Sequence, residues 1–302
     1  MKLGFMFTGQ GSERVGMGTS LLQYDSVKTL FNEAEAILEY NPESALNDPK
    51  TFEDTQKIQP LTFLLQVSLI KLLAEKGIHS DVTFGLSLGE YAAMYDASVF
   101  DFKTGLALLQ KRGELMQKSA NNHPGAMCAL IGLEASKIET LVNSLEEVVI
   151  ANYNTPKQLV ISGDLAAVKH AADLAKEAGA KRAVMLPTTG AFHSFLMKDA
   201  AEELTEYLNQ LTLKEPTKSL YVNVTGDLFE GNIKDNMIRQ MTSPVKFYQI
   251  VEKNDNLDVL IEIGPKRVLC NMVKRINRKL TTYAVYDETS LHDVLEALEN
   301  EI

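Results

Sequence analysis

The chain has 302 residues, 45% of them hydrophobic, with 30 Lys and Arg set against 40 Asp and Glu for a formal net charge of −10. That length and composition suit one large domain or two modest ones. The acidic balance argues against a general nucleic-acid binder, whose phosphate-dominated affinity needs a basic surface. No run of about 18 apolar residues offers a membrane span, and Cys128 and Cys270 are too few and too distant for a disulfide scaffold or a thiolate metal site.

The N-terminal "MKLGFMFTGQG" carries a short apolar run before its glycines. It predicts a core strand at 3–7 and not a signal peptide; with no targeting segment, the expected location is the cytoplasm. "PLTFLLQVSLIKLLAEKG" (60–77) begins on a proline, ends on Gly77 and is apolar nearly all round, which predicts a buried helix starting at Pro60. A second strand, "VTFGL" (82–86), runs into Gly85-Leu86-Ser87-Leu88-Gly89. This fits G-x-S-x-G, in which a tight strand-to-helix turn lifts a serine clear of the sheet and the glycines relieve crowding. The N–H of Leu88 then lies at a helix start, where an oxyanion can be held. "LGEYAAMYDA" continues as that helix.

In the next helix, "DFKTGLALLQKRGELMQKSA" (101–120), Arg112 has Leu108, Leu109, Leu115 and Met116 at three and four positions either way. No acidic residue supplies the usual intrahelical pair, and a buried guanidinium without an anion is too costly to persist. Three answers fit: a distant Asp or Glu, a bound carboxylate gripped two-pronged, or an arginine reaching water along its stem.

From about 126 the rhythm becomes strand (126–133), helix (134–147), strand (148–154), strand (158–163), helix (164–179), strand (182–186). This β-α-β-β-α-β order is the split unit of ferredoxin-like folds. It predicts a small subdomain at 125–190 inserted into a larger domain formed by 1–124 and 191–302, with "SANNHPG" (119–125) and "PTTG" (187–190) as hinge-like joints. His193, in "TTGAFHSFLM", stands where the insertion rejoins the large domain, a place suited to facing a cleft between the two. It is the candidate base for Ser87, since a serine needs one and histidine is the usual choice. His170 and His292 read as solvated, and His79 and His123 fall in loops with no sign of convergence on Ser87.

Three further strands follow at 220–224, 258–263 and 281–286. Together with the first two and the helical segments between them they predict an α/β fold with a mostly parallel, helix-covered sheet. "NMVKRINRK" (271–279) gathers Lys274, Arg275, Arg278 and Lys279, either as a solvated helix face or as a docking surface for an acidic partner.

With Ser87, His193 and Arg112 in view, the chain resembles the malonyl-CoA:acyl-carrier-protein transacylases of fatty-acid synthesis over essentially its full length. "FTGQGSERVGMG" is similar to that family's first glycine element, "GLSLGEY" to its nucleophile elbow, "QKRGELMQ" to its arginine segment and "GAFHSFLM" to its histidine segment. "IRQMTSPVKF" and "IEIGPKRVL" match two later motifs. The resemblance implies a hydrolase-like α/β domain with a ferredoxin-like insertion, and a ping-pong transfer of malonyl from malonyl-CoA through Ser87 to the phosphopantetheine thiol of acyl carrier protein. It also implies that His193 is the base, oriented by a main-chain carbonyl at Gln240, and that the N–H groups of Gln10 and Leu88 hold the oxyanion. Arg112 would bind the malonyl carboxylate, and Phe192, in an Ala-Phe-His sequence, would accompany unbranched malonyl units or serve only as packing.

No metal or redox cofactor is implied. The acidic carrier would dock on Lys266, Arg267, Lys274 and Arg275; neither nucleic acid nor membrane is an expected partner. Two positions depart from the family pattern, Leu86 for a histidine and Glu13 for a glutamine. A freestanding polyketide-pathway acyltransferase, a serine esterase or thioesterase, and a non-catalytic scaffold are the competing readings.

Overall fold

The computed structural model describes residues 1–299, and its strands are β1 (Leu3–Phe7), β2 (Val82–Gly85), β3 (Ala126–Ile131), β4 (Val148–Thr155), β5 (Gln158–Gly163), β6 (Arg182–Met185), β7 (Ser219–Val222), β8 (Asp227–Leu228), β9 (Val259–Ile263) and β10 (Thr281–Val285). The helices are α1 (Asp25–Leu38), α2 (Pro42–Asn47), α3 (Thr55–Glu75), α4 (Gly89–Asp96), α5 (Phe102–Asn122), α6 (Ala135–Asn143), α7 (Leu165–Glu177), α8 (Lys198–Asn209), α9 (Ile233–Gln240), α10 (Phe247–Lys253), α11 (Leu269–Ile276) and α12 (Glu288–Glu299). Backbone packing divides the chain into two units, one of Met1–Gly113, Thr212–Tyr221 and the chain from Asn254 on, the other of Glu114–Leu211 and Val222–Lys253.

In the first unit β1 lies between β9 and β2, β10 flanks β9, and β7 flanks β2. The pairings β1–β2, β1–β9, β9–β10 and β2–β7 are all parallel. β1, β2 and β9 are buried along their whole length, as near-continuous apolar strands covered on both faces must be. The register sets Phe7 beside Gly85 on one side and beside Ile263 on the other. The carboxyl ends of three neighbouring strands therefore finish level, which is where open α/β sheets place their sites.

Helix α3 is long and apolar enough to cross a bilayer by length and composition, yet 83% of its most apolar window is buried within the protein. It starts earlier than the proline predicts. The Asp54 side chain accepts a hydrogen bond from the Gln56 N–H, capping a helix from Thr55, and Pro60 falls inside it. An N-cap of this kind satisfies an otherwise orphaned donor, so the true start signal is Asp54.

The second unit holds an antiparallel sheet in the order β4-β5-β3-β6. Leu130, Leu159 and Ile161 of this sheet pack with Ile138 of α6 and with Val168, Ala171 and Ala175 of α7. This reproduces the predicted β-α-β-β-α-β order, but packing draws the unit wider than 125–190. The reason is visible at β4: Tyr153 N–H donates to Val245 O and Val245 N–H to Ala151 O, both at 2.8 Å, and the Tyr153 ring meets the Tyr248 ring edge-on at 6.1 Å. These contacts tie the 222–253 segment to the antiparallel sheet.

The predicted hinge at 119–125 also shrinks. Helix α5 runs on to Asn122, so only 123–125 of the predicted joint lies outside it. Gly125 packs so closely that a Cβ there would stand 2.6 Å from Ala191 Cβ and 2.6 Å from Gly163 O.

Candidate active site

The turn after β2 is built around Ser87. Leu86 N–H donates to Phe7 O, then Gly89 N–H to Leu86 O and Glu90 N–H to Ser87 O, each at 3.0 Å. The chain thus passes from strand to α4 within three residues. Ser87 sits at φ 53°, a left-handed conformation that costs a non-glycine residue of order 1–3 kcal/mol and persists only where the surroundings impose it. A Cβ on Gly85 would stand 2.0 Å from Gly89 C, and one on Gly89 2.1 Å from Phe7 O. Both glycines of G-x-S-x-G are therefore steric necessities.

Beside this turn, after β1, runs Gly9–Glu13. A Cβ on Gly9 would lie 2.5 Å from Leu86 O, so this backbone presses directly on the elbow. Side chains hold it from several sides. Gln66 Nε2, buried in α3, donates to Thr8 O at 2.9 Å. Ser12 Oγ donates to Gly9 O at 2.9 Å, and the Gly11 N–H donates to both Glu13 carboxylate oxygens at 3.0 and 2.8 Å. Burial pushes the Glu13 carboxyl above its usual range, against the opposing pull of these N–H groups and of Lys266. Among the described residues no hydrogen bond takes the N–H of Gln10 or of Leu88.

Arg112 is 1% exposed, which excludes the route to water along its stem. Its Nη1 donates to Gln59 Oε1 at 2.8 Å, and its guanidinium carbon lies 5.0 Å from the centre of the Tyr91 ring, a cation–π arrangement. Tyr91 lies on α4, four residues after Ser87, so the helix that follows the elbow supplies the ring that holds the cation. Burial pushes the Tyr91 hydroxyl up, partly countered by Arg112. Gly113 makes the placement feasible: a Cβ there would stand 2.8 Å from Thr55 O, so its absence lets α5 close onto the first turn of α3.

In the second unit His193 is 4% exposed and the only buried histidine among the described residues. Its Nδ1 lies 2.9 Å from Gln240 O and 3.2 Å from Ser243 O. Carbonyl oxygens only accept, so Nδ1 carries a proton, which leaves Nε2 as the ring nitrogen able to accept one whenever the ring is neutral. Gln240 closes α9, and its own Nε2 donates to Asn223 Oδ1 at 3.5 Å. His193 also has a left-handed φ of 57°, a second strained residue. Neighbouring Phe192 is buried.

The basic residues Lys266, Arg267, Lys274 and Arg275 are all exposed, on α11 and the loop before it. That helix is anchored from β9. Buried Glu262 accepts the N–H groups of Val268, Leu269 and Cys270 at 2.6, 2.7 and 2.8 Å, a carboxylate where a helix start favours one. Burial, with Glu262 beside it, pushes the Cys270 thiol up to about 12, so it stays protonated and is a poor rival nucleophile.

Gln59, Tyr91, Asn223 and Ser243 were not singled out from the sequence. Gln59 and Gln66 carried a usable signal: an amide inside an otherwise apolar buried helix must have a polar partner. The others depend on contacts that no local pattern announces.

A model of the acyl transferase domain matches residues 4–292. The malonyl CoA-acyl carrier protein transacylase of Bacillus subtilis (strain 168) is 38% identical over 311 residues, covering 99% of this chain and 98% of that protein. The crystal structure of an acyl carrier protein S-malonyltransferase from Vibrio cholerae O1 biovar eltor superposes with a TM-score of 0.91 at 39% identity, over 97% of this chain and 100% of that one. A malonyl-transacylase solved in complex with its type II PKS acyl-carrier protein superposes with a TM-score of 0.94 at 33% identity, over 98% and 100% of the two chains.

Proposed function

Since the chain belongs to the acyl transferase domain family, we propose that Ser87, presented on its strained turn at φ 53°, takes the malonyl group of malonyl-CoA as an ester. That turn is the observation that carries the reading. The enzyme is a malonyl-CoA:acyl-carrier-protein transacylase. His193 Nε2 accepts the Ser87 proton as the hydroxyl attacks the thioester carbonyl, and returns it to the departing CoA thiolate. The phosphopantetheine thiol of the carrier then repeats the exchange in reverse order. Each attack makes a tetrahedral oxyanion, for which the Gln10 and Leu88 N–H groups are the donors. Thioester-to-ester exchange needs neither a metal nor a redox group.

Arg112 binds the free malonyl carboxylate, with Gln59 and Tyr91 holding the guanidinium in place. A charge-assisted hydrogen bond of this kind contributes about 1.5–3 kcal/mol. Arg112→Ala is therefore expected to lower kcat/KM for malonyl-CoA about tenfold to a hundredfold and to erase its preference over acetyl-CoA. Retained discrimination would remove Arg112 from this role. Phe192, adjoining His193, is the residue at which branched acyl groups are selected against.

Lys266, Arg267, Lys274 and Arg275 form the face that meets the acidic carrier. Reversing the charge of Lys274 and Arg275 together is expected to raise the KM for carrier protein severalfold and leave that for malonyl-CoA unchanged. Equal values for the carrier would mark the cluster as solvated surface.

A polyketide carrier is the second reading, favoured by the relative solved with a type II PKS carrier protein. The experiment that tests the function is intact-mass measurement after mixing with malonyl-CoA, followed by addition of each carrier. A malonyl adduct on the peptide holding Ser87, discharged by carrier thiol, is the expected result. Discharge by water at the same rate would make the protein a thioesterase, and no adduct at all would make it a scaffold.

A further inference from the structure

The chain leaving β1 passes through two successive peptide planes whose carbonyls are each held by a buried side chain. Gln66 Nε2, from α3, donates to Thr8 O at 2.9 Å and holds the Thr8–Gly9 plane. Ser12 Oγ reaches back three residues and donates to Gly9 O at 2.9 Å, holding the Gly9–Gln10 plane. Among the described residues that hydroxyl is the sole donor to Gly9 O. Ser12 is only 3% exposed, so bulk water is poorly placed to take over its bond. The two planes meet at Gly9, where a Cβ would stand 2.5 Å from Leu86 O and 2.8 Å from Leu86 Cδ2. Their junction is therefore pressed against the residue that precedes Ser87.

The plane that Ser12 holds is the one carrying the Gln10 N–H. Gly9 C=O and Gln10 N–H belong to one flat trans amide, in which they point in opposite directions. Fixing the oxygen therefore fixes the hydrogen, which leaves the amide on the side away from Ser12. The torsion between the Gly9 Cα and this amide belongs to a glycine, the residue with the most backbone freedom to lose. Without the hydroxyl, rotation there swings the Gln10 N–H. The following plane, with the Gln10 carbonyl and the Gly11 N–H, is restrained separately by Glu13.

We propose that Ser12 is a positioning residue for the oxyanion donor: its hydroxyl holds the Gly9 carbonyl and, through that rigid amide, aims the Gln10 N–H at the carbonyl oxygen of the acyl group. This deepens the acyl-transfer reading and rests on it. The role requires a hydroxyl donor at this position. Side-chain volume alone does not supply it.

The experiment compares Ser12→Ala, which removes the donor, Ser12→Cys, which keeps the bulk with a weak donor, and Ser12→Thr, which keeps the hydroxyl. Steady-state kinetics with malonyl-CoA and carrier protein are read beside single-turnover acylation of Ser87 by intact mass, and denaturant titration reports stability. Loss of an oxyanion donor outright costs about 10²–10³ in kcat, so a donor left in place but loosely aimed should cost about tenfold. The expected result is that fall in kcat and in the acylation rate for both alanine and cysteine. The KM for malonyl-CoA should stay within about twofold, the pattern of an interaction made only in the transition state, and threonine should recover most of the lost rate. An alanine variant of undiminished kcat overturns the proposal, as does a fall expressed in KM alone. A cysteine variant as fast as wild type beside a slow alanine overturns it too, since Ser12 would then only fill space. So does a threonine variant as slow as alanine yet as stable as wild type; where the extra methyl lowers stability, the alanine and cysteine variants decide. Absence of a malonyl adduct on wild-type Ser87 would fell the acyl-transfer reading and this proposal with it; an adduct on wild type with a fully active alanine variant fells only Ser12's part.

Discussion

Ser87→Ala is expected to abolish the malonyl adduct and lower carrier-protein malonylation by on the order of 10⁴-fold or more, in line with the loss of a serine nucleophile elsewhere. The fall should come with no loss of stability. The Ser87 backbone is held at φ 53°, so alanine keeps the strain, while glycine relieves it. A left-handed non-glycine residue costs roughly 1–2 kcal/mol, and glycine forfeits roughly 0.5–1 kcal/mol in the unfolded chain. Ser87→Gly should therefore be inactive yet equal to or slightly more stable than wild type, by up to about 1.5 kcal/mol in denaturant titration. A clearly destabilised glycine variant would mean that the turn is not the strained element described. Retention of a malonyl adduct by either variant would place the nucleophile elsewhere.

His193→Ala has the second-largest expected effect. Removing a positioned general base costs typically 10²–10⁴, and in the proposed cycle both half-reactions use the same ring. The sign of the pH dependence follows from the protonation state. In the proposed role the ring acts as a base in its neutral form, so wild-type kcat/KM should carry a limb that rises with pH, and that limb should vanish in the variant while the remaining rate stays low and flat. Because His193 is itself at φ 57°, His193→Asn is the better-matched control, asparagine being more tolerant of that conformation. A variant that loses less than about tenfold, or keeps the limb, would show that another group takes the Ser87 proton. Gln240 makes a poor target for the same test. It acts on His193 through its main-chain carbonyl, at 2.9 Å, so its side chain can change while the orienting group stays.

Much of this site is readable from the linear chain because its signals are local. Two glycines flanking a serine after an apolar run are a steric requirement of the turn, and contacts of 2.0 and 2.1 Å at the missing Cβ positions bear that out. Strands β1 and β5 match their predicted limits, β1 where an apolar run stops at a turn and β5 where it stops at Gly163. Arg112 stood out because no neighbour along its own helix could answer its charge. The failures are equally physical. Proline marked the wrong start for α3 because the Asp54 cap outranks it, and the joint at 119–125 proved largely helical because a polar stretch does not end a helix by itself.

What the sequence determines unaided is therefore whatever a few adjoining residues decide among themselves: the α/β alternation, the elbow that presents Ser87 and the split β-α-β-β-α-β unit. Only tertiary structure decides which strand ends finish side by side and that Arg112 lies buried against Gln59 and Tyr91. It also decides that His193 Nδ1 is held by the carbonyls of Gln240 and Ser243, and that β4 draws residues 222–253 into its unit. Periodicity and caps act over one or two turns, whereas a buried polar group takes its partner from whichever distant segment packing brings within about 3 Å.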